Sequence, residues 1–157
     1  MFTSLDDGKD VSTVKALFVY NFTKYIEWNQ HNLQQKFKIG VMGQSDVKDK
    51  LVLILKGKKL YNREIEIIEI KNIDEITGCQ ILYISKNESD KLKQVVDRFA
   101  QSELLIVTED KNMAAKGSCI NIVEKEQKMR FEMNDSAIKK AGLKVANQLY
   151  ELAIIVR

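Results

Sequence analysis

The residues best equipped for chemistry are Thr108-Glu109-Asp110, which place two adjacent carboxylates just after the apolar run Leu104-Leu105-Ile106-Val107. Paired acids can shuttle protons or hold a metal ion. Neither has a visible partner at the neighbouring strand ends, and loop acids are usually solvated. An enzyme built on Glu109 and Asp110 is therefore the third reading of this chain. Gly43-Gln44-Ser45-Asp46 could place an anion at a helix N-terminus, but it lacks both the GxxxxGK[ST] phosphate loop and the GxGxxG pattern. An ordinary strand-to-helix turn with an N-cap is the favoured reading there. Ser85-Lys86-Asn87-Glu88 lacks the Asp that a phospho-receiver domain would place at that strand end. His31 is the only histidine and lies in a polar loop, so no Ser-His-Asp or Cys-His set is visible. Two cysteines and one distant histidine do not make a zinc site, and no GxSxG elbow exists. The chain reads as a non-enzyme, with no metal and no cofactor.

The elements that carry these residues follow from apolar patterning. Residues 1–11 read as a flexible tail, and 12–157 as one domain. Ser12 is placed to cap a helix in which Val14, Leu17, Phe18, Asn21, Phe22 and Tyr25 follow the spacing of one buried face. Asn21 on that stripe is expected to hydrogen-bond backbone. Phe37 to Met42 is a strand; Ser45 or Asp46 caps a second helix with Val47, Leu51, Val52 and Leu55 on its apolar side, ending at Gly57. Glu64 to Ile70 alternates acid and aliphatic as a half-exposed strand near a sheet edge. Asn72 to Thr77 reads as a helical turn, Cys79 to Ile84 as a strand buried on both faces. A helix follows from Ser85–Ser89 with Leu92, Val95, Val96 and Phe99 inward. Leu104 to Val107 is another buried strand. Ser118–Val123 and Met129–Met133 form an antiparallel hairpin across Glu124–Lys128. Asn134 or Ser136 then caps one long last helix with Ile138, Ala141, Gly142, Val145, Leu149, Leu152 and Val156 on its stripe.

Alternating strands and helices predict an α/β fold. It is a three-layer α/β/α sandwich with a mostly parallel, flavodoxin-like sheet, a C-terminal antiparallel hairpin and an extra N-terminal helix. In that order the strands of Cys79 and Cys119 flank the Leu104 strand, two spacings or about 9–10 Å apart, beyond the roughly 7 Å a disulfide tolerates. Two separate buried thiols are expected; a Cys79–Cys119 bridge, and with it a redox role, requires another strand order.

At 157 residues, with 45% hydrophobic and 30% charged, the composition is globular rather than disordered. A net charge of +3, with both signs mixed along the chain, offers no basic, aromatic-interleaved patch, so nucleic acid is not an expected partner. No apolar run reaches the roughly 18 residues that span a bilayer, so no direct membrane insertion is expected. Met1 to Asp10 holds no basic region followed by an apolar one, which leaves either a cytoplasmic protein or a mature form behind a new Met1.

Five patterns fall in register over most of the chain. They are Lys15-Ala16-Leu17-Phe18-Val19-Tyr20-Asn21-Phe22-Thr23-Lys24-Tyr25-Ile26-Glu27-Trp28; Phe37-Lys38-Ile39-Gly40-Val41-Met42-Gly43; Gly78 to Ile84; Gly117 to Val123 with Met129 to Asn134; and Ala141 to Ala146 with Leu149 and Leu152-Ala153. Together they resemble the YfiR-like family from about Thr13 to Val156. Asn29 stands where members often carry proline, and Gly117-Ser118 where they often carry two glycines. The resemblance implies a small exported regulator, its signal peptide removed. Such a protein acts in the periplasm, binds the extracytoplasmic domain of a membrane sensor (a diguanylate cyclase or a histidine kinase) and controls its output. The namesake represses a diguanylate cyclase, and its release raises cyclic-di-GMP and favours biofilm. Members tend to be dimers, some with redox-sensitive disulfides. Tyr20, Phe22, Tyr25 and Trp28 cannot all face one core from a regular helix, so those left outside are the expected partner-binding residues. The alternative is a small-ligand-binding domain that uses the crevice near Gly43–Asp46 and Ser85–Asn87.

Overall fold

The computed structural model describes residues 10–157. In chain order the elements are α1 (Val11–Tyr25), β1 (Ile26–Glu27), β2 (Lys36–Met42), α2 (Asp46–Leu55), β3 (Lys59–Leu60), β4 (Arg63–Ile70), β5 (Ile81–Ile84), α3 (Leu92–Phe99), β6 (Leu105–Thr108), β7 (Ile120–Lys125), β8 (Lys128–Asn134), α4 (Asp135–Lys140), β9 (Lys144–Val145), α5 (Asn147–Leu152) and β10 (Ile154–Val156), with 3-10 turns at Gln30–Asn32, Ile73–Ile76 and Lys86–Lys91. Apart from Asp10 and Val11, the tail expected over 1–11 lies outside the described residues. Val11 is the first residue of α1 and Asp10 its cap.

Eight strands form one sheet in the order β10-β8-β7-β6-β5-β2-β4-β3. The parallel strands β2, β4, β5, β6 and β7 run through it in the spatial order second, first, third, fourth, fifth, which is the flavodoxin-like arrangement. The expected hairpin is β7–β8, turned by Glu126 and Gln127, both left-handed at φ +53° and +63°. Every residue of β5 and β6 is buried, as predicted for inner parallel strands.

One face of the sheet, carrying Phe37, Ile39, Val41, Tyr83, Val107 and Phe131, lies under α1 and α2. Phe22 meets Phe131 edge-on at 5.2 Å. The other face is covered by α3, α4 and the Ile73–Ile76 turn, through Leu92, Val95, Phe99, Ile138 and Ile76.

Four expectations are corrected. The cap of α1 is Asp10, whose carboxylate accepts the Thr13 N–H at 2.8 Å, so Ser12 lies inside the helix. The buried side of α1 holds Val14, Ala16, Phe18, Val19, Phe22 and Thr23, an arc of roughly 200° at 100° per residue. Leu17, Asn21 and Tyr25 are only half-buried because α1 is wedged between sheet and α2 rather than laid on one surface. Asn21 takes no backbone hydrogen bond there; Thr23 does, to the Tyr20 carbonyl. On α2, Val52 points outward, 47% exposed.

The fourth correction concerns the last helix, which is broken. Gly142, at φ +79°, ends α4 in the left-handed conformation that favours glycine. The chain then pairs Lys144-Val145 with Glu27-Ile26, forms the short α5, and adds β10 parallel to β8. Ile138, Ala141 and Leu149 are buried as the stripe required, but so is Leu143, which a continuous helix would have turned away.

Candidate functional site

The aromatic run divides between core and surface. Phe22 is fully buried among Phe18 and Phe131. Trp28, 4% exposed, stands edge-on to Phe37 at 5.1 Å, and its indole N–H is shared between the carbonyls of Glu103 (2.9 Å) and Gln80 (3.1 Å). An indole fixed by packing and by two acceptors is a structural anchor. Neither residue offers a surface to a partner in this fold. Tyr25 is half-buried, and its carbonyl accepts the Ala146 N–H at 2.8 Å, tying α1 to the C-terminal segment. Tyr20 is the outward member. Its ring carries the ammonium of Lys24 at 4.5 Å and that of Lys58 at 5.2 Å, one from α1 and one from the turn before β3. Two cations against one aromatic ring form a compact basic, aromatic patch.

The carboxylate pair does not act as a pair. Asp110 is half-buried, and the Lys111 N–H bonded to its carboxylate holds its pKa below the ordinary value. Glu109 turns inward. One oxygen accepts the Lys15 ammonium at 2.9 Å and the hydroxyl of fully buried Tyr83; the other accepts the Lys86 N–H at 2.7 Å. Burial pushes its pKa up, but the bonds from Tyr83, Lys15 and Lys86 outweigh that and leave it below the ordinary value. Burial, then the adjoining carboxylate, pushes the Tyr83 hydroxyl well above its usual pKa. This latch joins α1 to the carboxyl ends of β5 and β6. Glu109 thus has the partners that sequence reading did not find. The pairing with Lys15 spans 94 residues, and no local pattern announces it.

The crevice predicted at the strand ends exists. It is an open hollow of about 700 Å³ beyond β2, β4 and β5, lined by Gly43, Gln44, Lys71, Asp74, Glu88 and Lys91 among others. Its floor is filled by protein: Gly43 has φ +91°, and a Cβ there would come within 2.1 Å of Ser85 Oγ, which itself lies 2.7 Å from the Met42 carbonyl and 2.8 Å from Asn87 Oδ1. Ser45 caps α2 by accepting the Val47 N–H, and Asp46 and Asp49 put negative charge in its first turn, which disfavours an anion there.

Cys79 and Cys119 are free and buried. Their strands flank β6, as the flavodoxin-like order requires. Burial pushes both thiols up to about 11, so neither is a nucleophile near neutral pH. No group of three or more His, Cys, Asp or Glu able to hold a metal occurs among the described residues, and no helix among them is long and apolar enough to cross a membrane.

The domain is thus flavodoxin-like, its inward acid held by internal bonds and its surface carrying an aromatic ring beside two cations. Over residues 12–154 the chain matches the family described as YfiR/HmsC-like. It belongs to that family, one of signalling regulators. No curated protein matches it. Among solved structures, a conserved domain protein from Vibrio cholerae O1 biovar El Tor is similar, with TM-score 0.62 and 7% identity over 94% of this chain and 60% of that one. The ABC domain from Streptococcus pneumoniae, solved in complex with L-Trp, is similar with TM-score 0.55 and 11% identity over 77% of this chain and 55% of that one. The chain thus spans under two thirds of either structure, and at these identities the likeness is one of fold.

Proposed function

We propose that the protein is a non-enzymatic periplasmic regulator. It binds the extracytoplasmic domain of a membrane sensor, a diguanylate cyclase or a histidine kinase, and sets that sensor's output, and thereby cyclic-di-GMP and biofilm formation where the sensor is a cyclase. In this reading it acts as a homodimer and is exported with its signal peptide removed. The family match over 12–154 carries the reading. The Tyr20–Lys24–Lys58 patch supports it as a contact surface, since tyrosine is among the residues that carry most interface energy and the two lysines make the patch basic. The test is a cross-linked pull-down from membranes of the source cell. Recovery of one sensor protein by the native chain, and its loss with Tyr20→Glu plus Lys58→Glu at unchanged circular dichroism, is the expected outcome. Equal recovery by the double variant removes the patch from the reading, and no sensor at all removes the reading.

A second reading rests on the crevice of about 700 Å³, which lies at the topological switch between β2 and β5 where open α/β sheets bind ligands. In it the domain takes a small polar molecule. A thermal-shift panel of nucleotides, flavins and L-Trp (the last because the Streptococcus domain was solved with it) tests this. A rise in melting temperature abolished by Gly43→Val would favour it.

A further inference from the structure

On the sheet face covered by α3 and α4, the two helices leave a pocket of about 240 Å³ between them, apart from the crevice at the strand ends. Val96 and Ala100 form its wall at the C-terminal end of α3, and Ala137 its wall on α4. Leu104, Ile106 and Cys119 form its floor, each 2% exposed. Val96, Ala100 and Ala137 are only half-buried, as side chains bordering an unfilled space are. Polar groups here are few and largely committed. The Asn134 side chain accepts the Ala137 N–H at 3.0 Å and donates to the Ala114 carbonyl at 2.7 Å. Ser136 lies exposed at the mouth. The volume equals about eight waters at ~30 Å³ each, and each buried water needs two to four polar partners. These walls do not supply them, so the pocket favours an apolar occupant.

The mouth is basic. Lys140, the last residue of α4, and Arg157, just past β10, both line the pocket and are exposed. Neither is paired with a side-chain carboxylate among the described residues; it is the adjacent Lys139 that pairs with Asp135, at 2.9 Å. No Asp or Glu among the described residues lines the pocket. An apolar slot with two uncompensated cations at its entrance is complementary to an anion that carries an apolar body, since a carboxylate accepts charge-assisted bonds from lysine and arginine. We infer that this pocket binds a small aliphatic monocarboxylate of about octanoate size, its chain on Ile106 and Cys119 and its carboxylate on Lys140 and Arg157. The volume sets the length, at about ten non-hydrogen atoms. The lack of an acid sets the head group. An amino acid would bring an ammonium group with nothing to meet it, so a carboxylate without an amine is selected. The inference depends on neither the membrane partner nor the crevice.

Calorimetric titration of the native chain with octanoate is expected to give a Kd of about 0.05–1 mM, the range open to a ligand of ten non-hydrogen atoms. Octylamine, which keeps the chain and reverses the charge, and acetate, which keeps the head and lacks the chain, are each expected to bind at least tenfold more weakly. Lys140→Glu plus Arg157→Glu is expected to weaken octanoate at least tenfold while the unliganded melting temperature stays within about 2 °C of native, because both side chains are exposed and unpaired. Ala137→Leu, which fills the pocket from α4, is expected to abolish binding; should it not fold, Ala100→Leu fills the same space from α3. No octanoate binding up to about 5 mM overturns the inference. So does octylamine binding as tightly as octanoate, or octanoate binding unchanged in the charge-reversed variant or in the folded pocket-filling variant.

Discussion

Tyr20 and Phe22 stand two residues apart on the same helix, and the fold treats them in opposite ways. Phe22 has lost all its exposure and meets Phe18 and Phe131 at 6.3 and 5.2 Å. Tyr20 is half-exposed and meets two lysine ammonium groups. The two positions are about 160° apart around the helix; Phe22 lies well inside the buried arc and Tyr20 just past its margin. An aromatic-rich run is therefore neither all core nor all interface. Its inner half contributes stability, and its outer half is free to contribute recognition. That division can be tested by asking which substitutions cost folding and which cost only binding.

The largest effect is expected at the inner end. Phe22→Ala removes a ring from a site with no solvent access and leaves a cavity under α1, at a cost of about 3–5 kcal/mol. Urea denaturation should show the midpoint fall with the slope unchanged. A loss under 1 kcal/mol would mean that α1 is not seated as described.

Next comes the latch. Glu109→Ala leaves the buried Tyr83 hydroxyl without an acceptor and Lys15 without its carboxylate. Removing an acceptor in that way costs about 1–3 kcal/mol, the lower part of the range being favoured because Lys15 keeps a fifth of its side-chain exposure. The pH dependence has a definite sign. The folded pKa of Glu109 lies below its ordinary value, so its contribution is complete at neutral pH, above the unfolded pKa of about 4.3. It fades as acid takes the pH down through the depressed folded value. The stability gap between native chain and variant should hold steady from pH 6 to 8 and close below about pH 4. A gap that widens in acid would contradict the ionised latch.

Trp28→Phe tests the far end of the run. The phenyl ring keeps much of the packing against Phe37 but leaves the carbonyls of Gln80 and Glu103 without the indole donor. A loss of about 1–2 kcal/mol is expected, smaller than at Phe22 because the phenyl ring still fills most of the site and the main loss is the indole hydrogen bonds.

How much of this was legible in the sequence depended on the range of the interaction. Ile81 to Ile84 and Leu105 to Thr108 are recognisable as inner strands because burial on both faces leaves a continuous apolar run, a purely local signature. The flavodoxin-like order followed from the alternation of such runs with helices, and the YfiR-like resemblance from patterns that are likewise local. The long last helix failed because its stripe is shared by a different arrangement. Ile138 and Leu149 are buried in both, and only Gly142, a residue that a helix tolerates at modest cost, marks the break. The β3 hairpin escaped because two residues carry no period. That the aromatic run divides was legible, but which of its rings turn inward was not, because that depends on where α2 leans against α1. The Glu109 latch escaped because its partners come from α1 and β5.

Tyr20→Ala is the smallest expected change in stability and the most informative about function. Tyr20 packs at the margin of the core, and the cations over its ring are solvated on their far side, so the variant should stay within about 1 kcal/mol of the native chain. If the outer half of the helix serves recognition, this near-neutral change should weaken capture of the membrane sensor at least tenfold. Trp28→Phe, though more damaging to folding, should leave capture intact at temperatures where the domain remains folded. The reverse ranking, with capture tracking stability across Phe22, Trp28 and Tyr20 alike, would mean that the aromatic run acts on the partner only by keeping the domain folded. The contact surface would then have to be sought away from α1.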